Sequence, residues 1–581
     1  MPSPSPVVAA EMPVPVTAST SPLLVISKLF SSRVEGESWQ EKVESHFQAE
    51  LSRPEVLAGL TSLNTTPNHS LVEGSLVRFR AMVQDMFDPE YFVAEYQVRE
   101  RGGQVVVRTG RYRDTVDCGP GEELVGDSSA MQDLQERQCL YCVSPPGEAA
   151  WVLDHQARQA GQPGGSGGQE SGNKRAREEG EEEVEENEME TETSGGEANK
   201  RQKSDLVISP SAQPGPGKKS SGGSASLNLP LPSNTGRAAI VKLYDLKDGD
   251  LKLQDLVEFV GVVSLDPVLA GGEGEKEEMM TVSPSLPPPS LVPRLHVLHF
   301  TLLQHNNPLL PPRALPAVEP VCRVELQTLL STALLGDRLA AEYLLLHLIS
   351  RVYQRRDVLV LGKLSLNLHN MTGHEDWPRR LATLLSLLTT NSHYLPLTRA
   401  NLDTTSFLPS KDYEANRLVS GSLQLAAGTH LWLDETAMTD GQLGAAGVKN
   451  LTSLGSLITW QKLEYDFQFQ KLEYDADIPC LVMSEGRSLL PSDVQLMVKP
   501  DPVEVRQDLI SKTFGDIGAG LDSDLLDRLR RFITTCRHAT FDLTEQVMRA
   551  VQDDFVSMRQ TEQGISVEDF HSLLVLGRLS E

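Results

Sequence analysis

Two short stretches carry residue types that could handle a nucleotide. The first, Gly336-Asp337-Arg338-Leu339-Ala340-Ala341-Glu342-Tyr343, has the outline of a phosphate-binding loop: a hydrophobic lead-in, a Gly-Asp turn, small residues and a leucine-rich continuation. Such a loop cradles phosphates with glycine-rich backbone amides, reaches them with a lysine and holds magnesium with Ser or Thr. Here the lysine position is Glu342, the hydroxyl position is Tyr343, and Leu339 stands where the backbone would approach phosphate. A carboxylate against a triphosphate costs on the order of several kcal/mol. Read alone, the stretch is either an ordinary leucine-rich helix or a loop that has lost its chemistry. The second stretch, GTHLWLDET from Gly428 to Thr436, is an apolar strand ending in Asp434-Glu435. In a working ATPase that Asp orients magnesium and that Glu polarises the attacking water.

Other chemistry is sparser. Cys139 and Cys142, with Cys118 and His155 nearby, suggest zinc, but a site needs four ligands and there is no second close pair. Six cysteines in 581 residues fit a reducing compartment and free thiols. No metal and no cofactor is expected. Arg78, Arg80, Arg108, Arg111 and Arg113 interleave with Phe79, Tyr91, Phe92 and Tyr112. Such a set can stack and neutralise single-stranded DNA, or it can be a core with a solvated face. The net charge of −27 weighs against a dedicated nucleic-acid binder.

These residues need elements to hold them. Residues 1–22 lack a basic leader and are broken by prolines, and no run of about twenty apolar residues suggests a membrane span. The chain reads as soluble and intracellular. Residues 23–156 form a helical lead-in and a β-rich, OB-like domain, in which Leu76 to Val83 alternates apolar and polar residues. Residues 157–233, Gly-, Pro- and Glu-rich, form a disordered acidic linker. It carries two basic clusters, Lys174-Arg175-Ala176-Arg177 and Lys200-Arg201-Gln202-Lys203, which read as nuclear-localisation signals. Residues 234–323 are β-rich with a proline-rich loop, and residues 324–515 alternate helix and strand as an α/β domain does. Within that domain KLEYD occurs twice, at Lys462 to Asp466 and Lys471 to Asp475, and predicts a hairpin. Residues 516–581 predict a helical bundle, with helix-start signals at Asp542-x-x-Glu545 and Ser566-x-x-Asp569.

The order of loop, LWLDET, hairpin and buried strand Ile478 to Ser484 resembles the AAA+ region of the minichromosome maintenance (MCM) helicase subunits. On that resemblance Gly336, Asp337, Glu342 and Tyr343 are a degenerate Walker A, Asp434 and Glu435 a Walker B, and the last 66 residues a helicase-type lid. Glu568 falls where the lid's sensor arginine would stand. A closer resemblance spans nearly the whole chain. VRFRAMVQDMFDPEYFVAEY, GRYRDTVDCGP, NPLLP, KDYEANRLVSGSLQL, LITWQKLEYDF and SEGRSLLP are similar to the MCM-binding-protein family. What this implies is a multidomain α/β protein with a degenerate AAA+-like domain. It would be a nuclear, non-enzymatic partner of MCM helicase subunits in DNA replication, with chromatin association indirect. The family's roles are regulating assembly or unloading of the MCM complex and supporting sister chromatid cohesion. The alternatives are a single-stranded-DNA-binding OB protein and an active P-loop ATPase.

Overall fold

The alternation read in Leu76 to Val83 is a strand with one face turned inward: Val77, Phe79, Ala81 and Val83 are fully buried and share one core. The computed structural model describes residues 21–34, 38–116, 118–125, 134–159, 227–232, 236–247, 249–265, 287, 291–312, 315–317, 319–356, 359–371, 376–501, 505–540, 545–560 and 566–580. Five strands close a barrel: β1 (Leu76–Met86), β2 (Leu134–Val143), β3 (Ala238–Leu243), β4 (Leu256–Ser264) and β5 (Arg294–Leu302). Around the barrel the order is β1-β4-β5-β3-β2 and back to β1, antiparallel except for the parallel pair β5–β3. The segment 234–323, set apart in the sequence reading, therefore completes the barrel that begins at Leu76. Without β3, the backbone groups of β2 from Gln138 to Val143 would face an open edge. Gly261 lies on β4 against β5, where a Cβ would lie 2.2 Å from the His296 carbonyl oxygen. Helices Pro22–Ser31 and Trp39–Leu51 cover the outside of β4 and β5, packing Phe30, Val43 and Phe47 with Val260, Val262 and Leu298.

The second module is a five-stranded parallel sheet. Its strands are β6 (Leu366–His369), β7 (Ser392–Pro396), β8 (His430–Asp434), β11 (Cys480–Met483) and β12 (Val494–Met497), in the spatial order β7-β8-β11-β6-β12. Between β8 and β11 lies the hairpin of β9 (Lys462–Asp466) and β10 (Lys471–Asp475). Helices α1 (Pro320–Ala333), α2 (Arg338–Ile349) and α3 (Asp376–Leu388) pack one face of the sheet, burying Leu326, Leu344, Leu345, Leu381 and Leu385 with Trp432 and Leu481. Helix α4 (Ala445–Trp460) packs the other, through Leu454, Leu457 and Ile458. Near-continuous apolar strands such as HLWLD and CLVM follow from burial on both sides. The C-terminal helices include α5 (Ser523–His538), whose Leu529, Phe532 and Ile533 join the α1–α2 core, and α6 (Val567–Ser580). Ser566 caps α6, accepting from the Asp569 amide at 3.0 Å, as the motif predicts; Asp542 lies outside the described residues.

Barrel and sheet are joined by buried polar side chains. Gln424 donates to the Gln84 carbonyl at 2.9 Å, and Asp85 accepts from the Leu418 amide at 2.7 Å. Asn307 donates to Thr534 Oγ1 at 2.8 Å and to the Arg530 carbonyl at 3.1 Å, both on α5. Gln254 donates to Tyr465 Oη at 2.9 Å. Asn306 Nδ2 donates to Glu148 Oε1 at 2.7 Å and lies 3.2 Å from Asn391 Oδ1. Glu148 Oε2 is buried with no partner, and burial pushes its carboxyl up to about 7. A raised carboxyl stabilises the fold below its unfolded pKa, and that contribution is lost as pH rises through the folded value. Glu148→Gln is therefore expected to raise the thermal midpoint at pH 8, by about 1–3 kcal/mol of stability, and to change nothing near pH 4. Thermal melts at the two pH values check this; an equal effect at both would refute it.

Candidate functional site at the strand ends of the parallel sheet

The structure corrects the placement of the phosphate-like loop. A phosphate loop joins a strand to a helix, whereas Gly336 and Asp337 join helix α1 to helix α2. The end of α1 is a Schellman turn: the Gly336 amide reaches the Ser331 carbonyl at 2.8 Å and the Leu335 amide the Thr332 carbonyl at 3.1 Å. Leu335 and Gly336 both have left-handed φ, +54° and +97°, and a Cβ on Gly336 would meet Asp501 Cβ at 2.8 Å. Asp337 then caps α2, accepting from Ala340 N at 2.9 Å and from Lys499 N at 2.7 Å. Glu342 turns toward α1, pairing with Arg323 and accepting from Gln327 at 2.8 Å. Tyr343 packs against the α1–α2 core. The residues read as a lost motor loop are thus a helix stop, a helix start and an interhelical tie.

The strand-to-helix turn that could face a ligand follows β6, beside β11, where the sheet's connections diverge. Its sequence, Asn370-Met371-Thr372-Gly373-His374-Glu375-Asp376, has no lysine and one glycine. The Asn370 amide is spent on the Glu485 carbonyl at 3.0 Å and the Met371 amide on the Ser484 carbonyl at 3.2 Å. Asn370 Nδ2 donates to the Val498 carbonyl at 2.8 Å. Thr372 to Glu375 lie outside the described residues.

Asp434 and Glu435 stand where the LWLDET reading puts them, at the carboxyl end of β8 between β7 and β11. Both are occupied. Tyr394 Oη donates to Asp434 Oδ2 at 2.5 Å, while the Thr436 amide and hydroxyl donate to Oδ1 at 3.0 and 2.6 Å. Asp434 is 1% exposed. Burial, and then the bond to Asp434, push the Tyr394 phenol well above its ordinary range, so it stays a donor. Glu435 accepts from Ser488 Oγ at 2.7 Å and from the Leu489 amide at 3.3 Å, and burial raises its carboxyl. Ser488 and Leu489 belong to SEGRSLLP. The arrangement turns the strand-end carboxylates inward and fixes the loop after β11.

The hairpin forms as expected, with Glu464 opposite Glu473 and crosswise pairs Lys462–Glu473 at 2.9 Å and Lys471–Glu464 at 2.7 Å. Its tip exposes Phe469 at 87%. The basic–aromatic set of the barrel does not form one face. Phe79 is inside the barrel and Phe92 and Tyr112 are buried, while Tyr91 is exposed. Arg80 pairs with Glu258 at 3.2 Å, Arg108 makes two bonds of 2.7 Å to Glu122, and Arg111 pairs with Asp245; Arg78 is buried. The Arg113 carbonyl accepts from Arg137 at 2.7 Å. Asp114, buried beside His296, Lys242 and Arg137, is held below the usual carboxylate range by the His296 ring and by the Lys242 and Arg137 cations, against the upward push of burial. Cys142 lies inside the barrel and Cys139 outside it, three residues apart on one strand, so they diverge. Among the described residues no three His, Cys, Asp or Glu gather as metal ligands, and no helix is long and apolar enough to cross a membrane. The side chain of Glu568 and the clusters Lys174, Arg175, Arg177, Lys200, Arg201 and Lys203 lie outside the described residues.

Sequence reading missed the joint. Asn307 opens NPLLP, and Leu418, Ser420 and Gln424 belong to KDYEANRLVSGSLQL, so two of the motifs singled out for their specificity fasten barrel to sheet. The available signal was polar amides set among leucines in loops.

A closed barrel fastened by buried amides to a parallel sheet, with the sheet's strand-end carboxylates bound internally, defines a multidomain α/β protein built around fixed module geometry. The chain belongs to the family described as mini-chromosome maintenance replisome factor, which matches residues 47–581. It is 39% identical to the mini-chromosome maintenance complex-binding protein of Salmo salar, over 96% of this chain and 92% of that one. The protein of that name from Homo sapiens is 36% identical over the same shares, and the one from Drosophila melanogaster 38% over 89% and 87%.

The corrected position of Glu342 has a direct test. Glu342→Lys restores the residue type of a phosphate loop but points it at Arg323. The variant is expected to lose about 1 kcal/mol or less of stability, since the pair is partly exposed, and to gain no magnesium-dependent nucleotide binding. Titration with labelled ATP, with and without magnesium, and a thermal melt read both; acquired magnesium-dependent ATP binding would reinstate the loop.

Proposed function

We propose that this chain is a binding partner of MCM helicase subunits in DNA replication and does not itself turn over nucleotide. The observation that carries the reading is similarity over nearly the full chain to proteins named for binding the mini-chromosome maintenance complex. The sheet's architecture supports a degenerate AAA+-like domain with a helical lid, in which Asp434 and Glu435 keep the Walker B position but serve Tyr394, Thr436 and Ser488 instead of a metal and a water. A subunit-like surface without a phosphate loop can occupy a helicase subunit's interface and hold that subunit apart from its neighbours. Regulation of assembly or unloading of the MCM complex and support of sister chromatid cohesion follow from that capacity, with chromatin contact made through the bound subunits. Nuclear residence is part of the proposal and rests on the two basic clusters. The paired barrel arginines and the buried Phe79, Phe92 and Tyr112 disfavour the single-stranded-DNA alternative.

Affinity capture of the tagged chain from nuclear extract is expected to recover MCM subunits as sub-complexes rather than as intact hexamers. Recovery of no MCM subunit would end the reading. Replacing Lys174, Arg175, Arg177, Lys200, Arg201 and Lys203 by alanine is expected to leave capture from whole-cell lysate intact and to move a fluorescent fusion out of the nucleus; unchanged nuclear signal would remove the clusters from the proposal.

A further inference from the structure

Away from the strand ends, a cavity of about 610 Å3 opens between α1, the end of α2, α5 and α6. Its described lining includes four arginines, Arg323, Arg351, Arg537 and Arg578, over a floor with Ile349 and Phe532, and no carboxylate. Two of the arginines are neutralised from behind: Arg323 by Glu342, and Arg537 by Asp477 at 2.8 Å. The other two form no ion pair among the described residues, although the Asp477 carboxylate also acts on Arg351 through space. Arg351 directs Nη1 to His538 Nδ1 at 3.1 Å, an acceptor only while the imidazole is neutral, and its Nε is buried without a partner. Arg578 lies 3.6 Å over the Tyr353 ring and forms no ion pair among the described residues. Burial, then Arg537 and Arg351, hold the His538 imidazole down to about 3. Burial likewise depresses Arg351; the cations Arg537 and Arg578 add to the effect and Asp477 opposes it. In a chain of net charge −27, four guanidinium groups converge against two carboxylates, Glu342 and Asp477; the excess cations repel one another, and a bound anion relieves that repulsion.

We propose that this cavity binds a compact polyphosphate anion, held by Arg351 and Arg578 with Arg323 and Arg537 behind them. Guanidinium forks match phosphate oxygens in pairs, and the volume suits a ligand of nucleotide size. An extended acidic peptide fits less well, since the lining includes no strand edge for a peptide backbone. The described lining offers magnesium no carboxylate, so the guanidinium groups alone are expected to hold the anion. This site is independent of the proposed MCM partnership.

Calorimetric titration of the purified full chain with inorganic tripolyphosphate, in chelator, is the test. Saturable binding is expected, weakening as salt rises. ATP is expected to bind through its triphosphate and adenosine not to bind. Arg578→Gln, near the end of the last helix, is expected to weaken binding several-fold, and the pair Arg351→Gln with Arg578→Gln by at least about tenfold, as loss of charge-assisted contacts requires. Arg99→Gln, at an exposed position that does not line this cavity, is expected to change nothing. Circular dichroism confirms that each variant is folded. Absence of saturable binding by the natural chain, full affinity in the Arg578→Gln variant, binding of adenosine alone, or a requirement for magnesium would each overturn the assignment.

Discussion

The architecture depends on one backbone pairing, that of β2 with β3 across residues 144–237. Six residues of β2, Gln138 to Val143, meet Leu243 to Ala238, and without them the barrel is an open sheet. The long intervening sequence obstructs this little. Loop-closure cost grows only with the logarithm of length, about 0.6 kcal/mol per doubling, so a barrel hairpin can carry a very long polar insertion. Once closed, the barrel fixes Asp85, Gln84, Gln254 and Asn306 in the positions from which they bond to the sheet module. Loss of closure would thus propagate to every polar contact of the joint.

Those contacts are of a kind that resists gradual change. An amide buried with its partner contributes about 1 kcal/mol net, but leaving the partner unmet costs about 1–3 kcal/mol. Asn307, held between Thr534 and the Arg530 carbonyl, couples a loop after β5 to α5, and Trp151 adds a bond to the Thr389 carbonyl while stacking under Arg530 at 4.1 Å. Barrel, sheet and C-terminal helices therefore share a polar seam, and a surface spread over them keeps its shape.

Much of this was legible in the sequence. Val77, Phe79, Ala81 and Val83 announced a strand because alternation survives wherever one face is buried, and HLWLDE announced an apolar strand ending in two carboxylates. The barrel's full extent was hidden because its closing partner lies beyond the acidic insertion, and no local pattern encodes a long-range pairing. Gly336 was misread for a more instructive reason. A helix stop followed at once by a helix start gives the same order of leucines, glycine, aspartate and small residues as a strand-loop-helix turn. The distinguishing signal lay upstream, where Leu326, Leu330 and Ala333 recur at helical spacing and are all buried. The carboxylates at the end of β8 were placed correctly from sequence. Their occupation by Tyr394 and Ser488 was not readable, because those donors come from other strands and loops.

The repeated KLEYD segment shows how far position outranks composition. In β9, Leu463 and Tyr465 are 1% and 0% exposed, while in β10 the same leucine, Leu472, is 39% exposed. The identical strand is core lining in one place and the last strand of its sheet in the other. A sequence that pairs so readily with its own copy is a template for adding a third. A third copy added in the antiparallel register of β9 on β10 would set glutamate against Glu473 but aspartate against Lys471 and lysine against Asp475. In parallel register every one of these charges would meet its like, so the outer strand's charges select the direction of any strand that joins it.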